Sequence, residues 1–270
     1  MSKICFYSVP HPSISSYFDL IDYSVLHGLT HLEGYCRFEL LNPNIEAARK
    51  IKAYADEKGV KFSCFSVSIN LIGDDAPEMI ERLKGFAKVC AILECPYLHH
   101  TIASNYINPD EVLCNGEENF KKGIAAVREI YDYAEVLGVK AVYEDQGYIF
   151  NGVEGFGRFL KEVDRNVGVV ADFGNIYQAG NTPEEFVNAF GNLVKHAHIK
   201  DITIKDNNFT GEGYKTLDNK YMFEVPFGCG CVDIQGVIAL LKTKGYNGFY
   251  GLEFAADKDS IDKIDLMLKG

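Results

Sequence analysis

The chain lacks any apolar run long enough to cross a bilayer, and its N-terminus, MSKICFYSVP, lacks the long apolar segment of a secretory leader. Neither membrane insertion nor export is expected. Positive charge is also short: 27 Lys and Arg stand against 38 Asp and Glu, for a net charge of −11. Domains that bind nucleic acid carry the opposite balance, so DNA and RNA are not expected partners. No GxGxxG follows the first apolar run, which removes the dinucleotide-binding fingerprint of an open doubly wound sheet. No Pro- or Ser-rich linker, low-complexity tract or short repeat divides the 270 residues, so one domain over 1–270 is expected. The eight cysteines show no paired framework, and most lie in apolar runs such as AKVCAILEC, where buried thiols sit. The expected compartment is the reducing cytoplasm. Cys229 and Cys231 form a C-x-C without further sulfur partners, which is too little for a thiolate metal site.

What is present alternates. Short runs rich in Val, Ile, Phe and Tyr read as strands at 3–9, 31–36, 61–69, 97–103, 141–146, 168–174, 196–202 and 249–254. Amphipathic stretches at helical spacing fall at 16–29, 44–59, 77–94, 118–138, 182–190, 232–245 and 259–269. Asn44 and Thr182 suit N-caps, and Gly59 suits a helix end. Eight strands alternating with helices pair in parallel, and at this length a closed (β/α)8 TIM barrel is the expected architecture. The longest irregular stretch, about 203–230, is expected to form an ordered cover over the barrel mouth, given its Tyr, Phe and Met content.

In such a barrel the chemistry gathers at the C-terminal ends of the strands. The run KHAHIKD (195–201) turns His196, His198 and Lys200 to one face if it is a strand. The neighbouring strand ends carry Glu144 in AVYEDQG, Asp172 in VVADFGN and Glu253 in YGLEF. Three carboxylates brought together repel and take up protons unless a cation neutralises them. Oxygen ligands with one imidazole suit a single divalent ion: Mn²⁺, Mg²⁺, Co²⁺ or Zn²⁺. Glu144, Asp172, His198 and Glu253 are therefore the expected ligands, and His196 is expected to support them from below.

ADFGNIYQAG, HAHIKD and the closing VPFGCGCVD–IQGVIALLKTKGYNGFYGLEF resemble the xylose isomerase-like TIM-barrel superfamily. That superfamily takes in sugar isomerases and epimerases, inosose dehydratases and endonuclease IV. The resemblance covers nearly the whole chain and places the metal ligands on the same four residues. It implies a divalent-metal-dependent isomerase or epimerase of a sugar or sugar phosphate, in which Glu144 and Glu253 move the α-proton and the metal stabilises the enediolate. It also implies a carbohydrate substrate and a homo-oligomer. The enzyme alternative on the same scaffold is a keto-polyol dehydratase, and less favoured are an endonuclease IV-like phosphodiesterase and a non-catalytic sugar binder.

The departures bear on these choices. Asn175 stands where many members have a histidine, Cys229 where an acid is frequent, and no histidine follows in ITIKDNNFTGEGY. Too few ligands remain for a three-zinc cluster. Secondary candidates for substrate contact are Asn175, Lys200, His100 at the end of strand four, His11 in SVPHPS, and Glu33 in HLEGYC. Alternation lets only one of His99 and His100 face inward, and His100 is the expected one.

Overall fold

The computed structural model describes residues 3–7, 14–103, 109–206, 213–253 and 258–269. In chain order the elements are β1 (Ile4–Tyr7), α1 (Tyr17–Leu26), β2 (His31–Tyr35), α2 (Ile45–Lys58), β3 (Lys61–Val67), α3 (Ala76–Leu93), β4 (Tyr97–His100), α4 (Pro109–Cys114) and α5 (Gly116–Val136). They continue with β5 (Lys140–Glu144), α6 (Gly152–Val163), β6 (Gly168–Asp172), α7 (Pro183–Phe190), β7 (Val194–Ile199), β8 (Asp201–Lys205), β9 (Tyr214–Lys215), β10 (Tyr221–Val225), α8 (Ile234–Thr243), β11 (Tyr250–Leu252) and α9 (Lys258–Lys269).

Eight of these strands close into a parallel barrel in the order β1-β11-β7-β6-β5-β4-β3-β2, the expected (β/α)8 architecture. Local chemistry sets the helix ends. Asn44 accepts from the Ala47 amide, and Thr182 and Glu185 form a reciprocal capping box. Between sheet and helices lies one continuous apolar layer that includes Phe6, Phe65, Phe86, Phe156, Phe159 and Phe186. Inside the barrel, Cys64, Val142 and Val170 form a small apolar plug with Tyr97 packed against it. No helix among the described residues is long and apolar enough to cross a membrane.

Besides the short helix α4, two features differ from the sequence expectation. Helix α6 was not expected because Gly152, Gly155 and Gly157 dilute its pattern. It forms because Phe156, Phe159 and Val163 bury one face, and packing outweighs propensity. The second difference is the stretch taken as irregular. It contains a three-stranded antiparallel sheet in the order β8-β10-β9, with Glu224 opposite Ile202. This sheet leans on the loops after β5 and β6: Tyr148 donates to the Lys215 carbonyl, and the Leu217 amide donates to the Gln178 carbonyl.

Asp201 makes that sheet start where it does. One of its carboxylate oxygens accepts the amides of Gly228 and Gly230, each at 2.9 Å, so the PFGCG turn is tied to the end of β7. Gly230 must lack a side chain, since a Cβ there would collide with the Asp201 carboxylate and the Ile202 carbonyl. All eight cysteines are unpaired; Cys5, Cys36, Cys64, Cys90 and Cys95 are buried, while Cys114, Cys229 and Cys231 are exposed.

Candidate functional site

The inward faces of the strands carry a polar stack above the apolar plug. At its base sits Glu33 of β2, which is fully buried. It accepts from Ser66 Oγ at 2.6 Å, from His196 Nε2 at 2.6 Å and from His198 Nε2 at 3.0 Å. Burial alone would keep this carboxyl protonated, but the His198 and His196 imidazoles hold it well below the usual carboxylate range. Gly251 of β11 leaves the room this requires: a Cβ there would lie 2.6 Å from Glu33 Oε2 and 3.1 Å from His198 Cδ2.

The tautomers follow from the donor count. Ser66 has one hydroxyl proton, and at 2.6 Å it goes to Glu33. The 2.9 Å contact between Ser66 Oγ and His99 Nδ1 is then donated by His99 Nδ1–H. His99 Nε2 is left with its lone pair, without a hydrogen bond, 3.5 Å from Glu144 Oε1. Burial lowers the His99 pKa, in keeping with a neutral ring. In the same way His198 directs Nε2–H to Glu33 and turns Nδ1 to the mouth, 3.3 Å from Glu144 Oε2 and 3.7 Å from Asp172 Oδ2. The Tyr7 ring stacks on His198 and fixes its plane, with ring centroids 5.2 Å apart.

Above this layer the groups are less well satisfied. Asp172 Oδ1 accepts the amides of Gly174 and Asn175, both at 2.8 Å. Its Oδ2 is buried with no hydrogen bond. Lys200, also buried, stretches across the mouth: its Nζ lies 2.9 Å from Glu253 Oε2, 3.0 Å from Asn175 Oδ1, 3.5 Å from Asp172 Oδ2 and 3.7 Å from Glu224 Oε1. Burial opposes the Lys200 charge, but Asp172, Glu253 and Glu224 hold the ammonium on well above its ordinary range. Burial raises Asp172 as well, and there the Lys200 ammonium outweighs it and keeps the carboxyl ionised. Glu253 goes the other way: burial pushes it up to about 8, with Lys200 only partly offsetting this. Burial also raises Asp145, next in chain to Glu144, and the neighbouring Asp172 and Glu144 charges add to it.

Three of the four expected metal ligands converge. One atom each of Glu144, Asp172 and His198 lies within 4.8 Å of the others. An ionised Asp172 with an orphaned oxygen, a second carboxylate and an imidazole nitrogen oriented by a carboxylate behind it form a donor set that fits a divalent cation. Glu253 borders this group, but its carboxylate is turned to Lys200.

The remaining expected residues divide. Asn175 and Lys200 do lie at the mouth, with Asn175 Nδ2 buried and unbonded. Lys200 does not form a surface pair with Asp201, whose carboxylate is committed to the PFGCG turn. His196 supports the layer from below through Glu33. Glu33 itself is not positioned for substrate contact, because it is sealed beneath His198 and spent on internal hydrogen bonds. His100 is a correction: it faces out of the barrel, where Nε2 meets the Tyr143 hydroxyl at 2.9 Å and Nδ1 meets the Thr101 carbonyl. His99 is the inward member of the pair, in register with Ser66 and Val142. Tyr97, two residues before it, packs on the inner plug and so shares its phase. His11 lies outside the described residues. Glu224 and Asp201 were not among the expected site residues; the alternation YMFEV within the stretch taken as irregular was the available signal.

Comparison with known proteins agrees with this architecture. An inosose dehydratase of Geobacillus thermodenitrificans is 26% identical over 158 residues, 57% of this chain and 53% of that protein. The chain thus spans about half the length of the curated relatives it matches. Among solved structures, D-psicose 3-epimerase of Clostridium cellulolyticum H10 superposes with a TM-score of 0.76 at 15% identity, covering 99% of each chain. A xylose isomerase-like TIM-barrel protein of Mycobacterium smegmatis, in complex with magnesium, gives 0.72 at 14% identity, covering 99% of this chain and 97% of that one. At these identities the structural matches speak for the fold alone. A family model described as xylose isomerase-like TIM barrel matches residues 26–269, and the chain belongs to that family.

Proposed function

We propose that the chain is a divalent-metal-dependent isomerase or epimerase of a sugar or a related hydroxy-carbonyl compound, acting by removal of a proton next to a carbonyl. The observation that carries this reading is the convergence of Glu144, Asp172 and His198 beside a largely buried carboxyl, Glu253, whose pKa is pushed up to about 8 by desolvation. Glu144, Asp172 and His198 would hold the cation, with Glu253 able to join them by turning from Lys200. When bound, the cation supplies positive charge against negative charge developing on substrate oxygen.

The chain's own residues supply the rest. A carboxyl held near 8 exchanges protons readily at neutral pH, which suits Glu253 to take or return a proton at its Oε atoms. Glu144, on β5, stands three strands away around the barrel from β11, so a substrate between them meets a carboxylate on two sides. Lys200 and Asn175 offer N–H donors to substrate oxygens. Return of the proton to the opposite face of the same carbon epimerises it, and return to the neighbouring carbon interconverts aldose and ketose.

A second reading, dehydration of a keto-polyol, is favoured by the inosose dehydratases among the relatives. It needs the same proton removal, followed by loss of a β-hydroxyl.

Proton NMR in D₂O separates these outcomes. The Mg²⁺- or Co²⁺-loaded chain is incubated with ketoses, their phosphates and keto-inositols, with Glu253→Gln as control. Deuterium entering beside a carbonyl, and lost in the variant, is the expected result, and new vinylic or deoxy signals would identify the dehydratase. No exchange by a chain that holds stoichiometric metal would overturn the proton-removal reading.

A further inference from the structure

The charge at the mouth bears on what the pocket can admit. Glu224 reaches it from the antiparallel sheet, with its side chain 25% exposed and 3.7 Å from Lys200 Nζ. With Asp172 and Glu253 it makes three carboxylates within 3.7 Å of that one ammonium, which also meets Asn175 Oδ1 at 3.0 Å. Burial leaves Glu224 partly desolvated and raises its pKa.

Cations that could receive a second anion are scarce. The sequence stretches following β1, β3, β4, β5 and β6, namely 8–13, 68–75, 101–108, 145–151 and 173–182, contain no Lys or Arg. After β2 comes Arg37, whose guanidinium lies over the Phe38 ring, 4.6 Å from its centroid. In the long stretch after β7, Lys220 pairs with Asp218 at 2.8 Å. Lys205 and Lys215 are exposed and both lie in register with Tyr221, three residues and about 10 Å along the strand from Glu224. What does point inward and stays unbonded is Asn175 Nδ2, on a side chain only 2% exposed. Among the described residues, the unbonded polar atoms here include the Asn175 Nδ2 donor and acceptors such as Asp172 Oδ2, a set that complements hydroxyl groups.

We propose that this pocket selects an uncharged polyhydroxy carbonyl compound over its phosphate or carboxylate counterpart, and that Glu224 is the residue that sets this preference by accepting a hydrogen bond from a substrate hydroxyl. The inference rests on the proton-removal reading above and narrows its substrate class. A phosphate ester would bring close to two negative charges beside Glu224 and Glu253, where Lys200 is the one side-chain cation among the described residues and the bound cation is already matched by Glu144 and Asp172. A hydroxyl brings a donor that a partly buried carboxylate binds strongly.

The test uses the whole metal-loaded chain and follows solvent-deuterium exchange on matched pairs: neutral ketohexoses and keto-inositols against their monophosphates. The wild type is expected to prefer the neutral member in kcat/KM by about 100-fold or more. Glu224→Gln is expected to raise KM for the neutral substrate about tenfold while kcat changes little. Glu224→Lys is expected to narrow or invert the preference. Faster exchange on the phosphate by the wild type, or an unchanged KM in Glu224→Gln, would overturn the proposal and leave the proton-removal reading standing. Absence of exchange on every pair, with metal bound, would instead overturn that reading and this proposal with it.

Discussion

The lower and upper layers of the barrel interior are built from the same residue types and differ in how completely they are satisfied. Below, Glu33 takes hydrogen bonds from Ser66, His196 and His198, and none of its capacity is left for a ligand. Above, Asp172 Oδ2 and Asn175 Nδ2 are buried without hydrogen bonds. A buried polar group normally finds a partner, and the lower layer finds its partners within the protein, as a scaffold does, while the upper layer keeps polar atoms that no protein group satisfies. Carboxylate and histidine content alone would not separate the two. The acid of HLEGYC and the acid of VVADFGN look alike in sequence, yet one orients an imidazole and the other faces the mouth.

The sharpest way to break this contrast is to remove the base of the scaffold. Glu33→Ala strips three donors of their acceptor in a sealed space and is expected to cost about 3–5 kcal/mol in urea unfolding. A loss below about 1 kcal/mol would mean that the network is not structural. Cation affinity should also fall by about 10–100-fold, because His198 loses the carboxylate that orients it. Next in size is Gly251→Ala, which crowds Glu33 and His198 without removing either. Overpacking of this kind is expected to cost about 1–3 kcal/mol, read from the same unfolding curves.

The pair His99 and His100 gives a smaller but more discriminating test. His100→Phe should lower stability by about 1–3 kcal/mol, since the Tyr143 hydroxyl loses its partner, and should leave cation affinity unchanged. His99→Phe should instead weaken the cation site, because its Nε2 lies 3.5 Å from Glu144. The reverse pattern would show the strand phase to be misassigned.

Much of this was legible from residues alone. The barrel followed from the alternation of apolar runs, and the residues proposed here to hold a cation from acids and a histidine near the ends of consecutive strands, of which the fold brings Glu144, Asp172 and His198 together. Where the reading failed, longer-range contacts decide. His99 and His100 are equivalent in a local pattern; the register of β4 against β3 and β5 chooses between them. Asp201, next in chain to Lys200, binds amides 27 and 29 residues downstream, which no local pattern shows. Glu224 lay in a stretch with too many Gly and Asn to read as a strand, and it is brought to the site only by antiparallel pairing with β8.

The central claim is that Glu144, Asp172 and His198 form a cation site, and calorimetric titration of the metal-free chain tests it most directly. In that state burial opposes charge on His198, and the Glu33 carboxylate outweighs it and holds the proton on well above the ordinary range. A cation must displace that proton. Titration with Mg²⁺, Mn²⁺, Co²⁺ and Zn²⁺ in buffers of different ionisation enthalpy should therefore give one cation per chain and about one proton released, with affinity rising as pH rises. Asp172→Asn should lose this binding. No binding by the wild type, or equal binding by Asp172→Asn, would contradict the account.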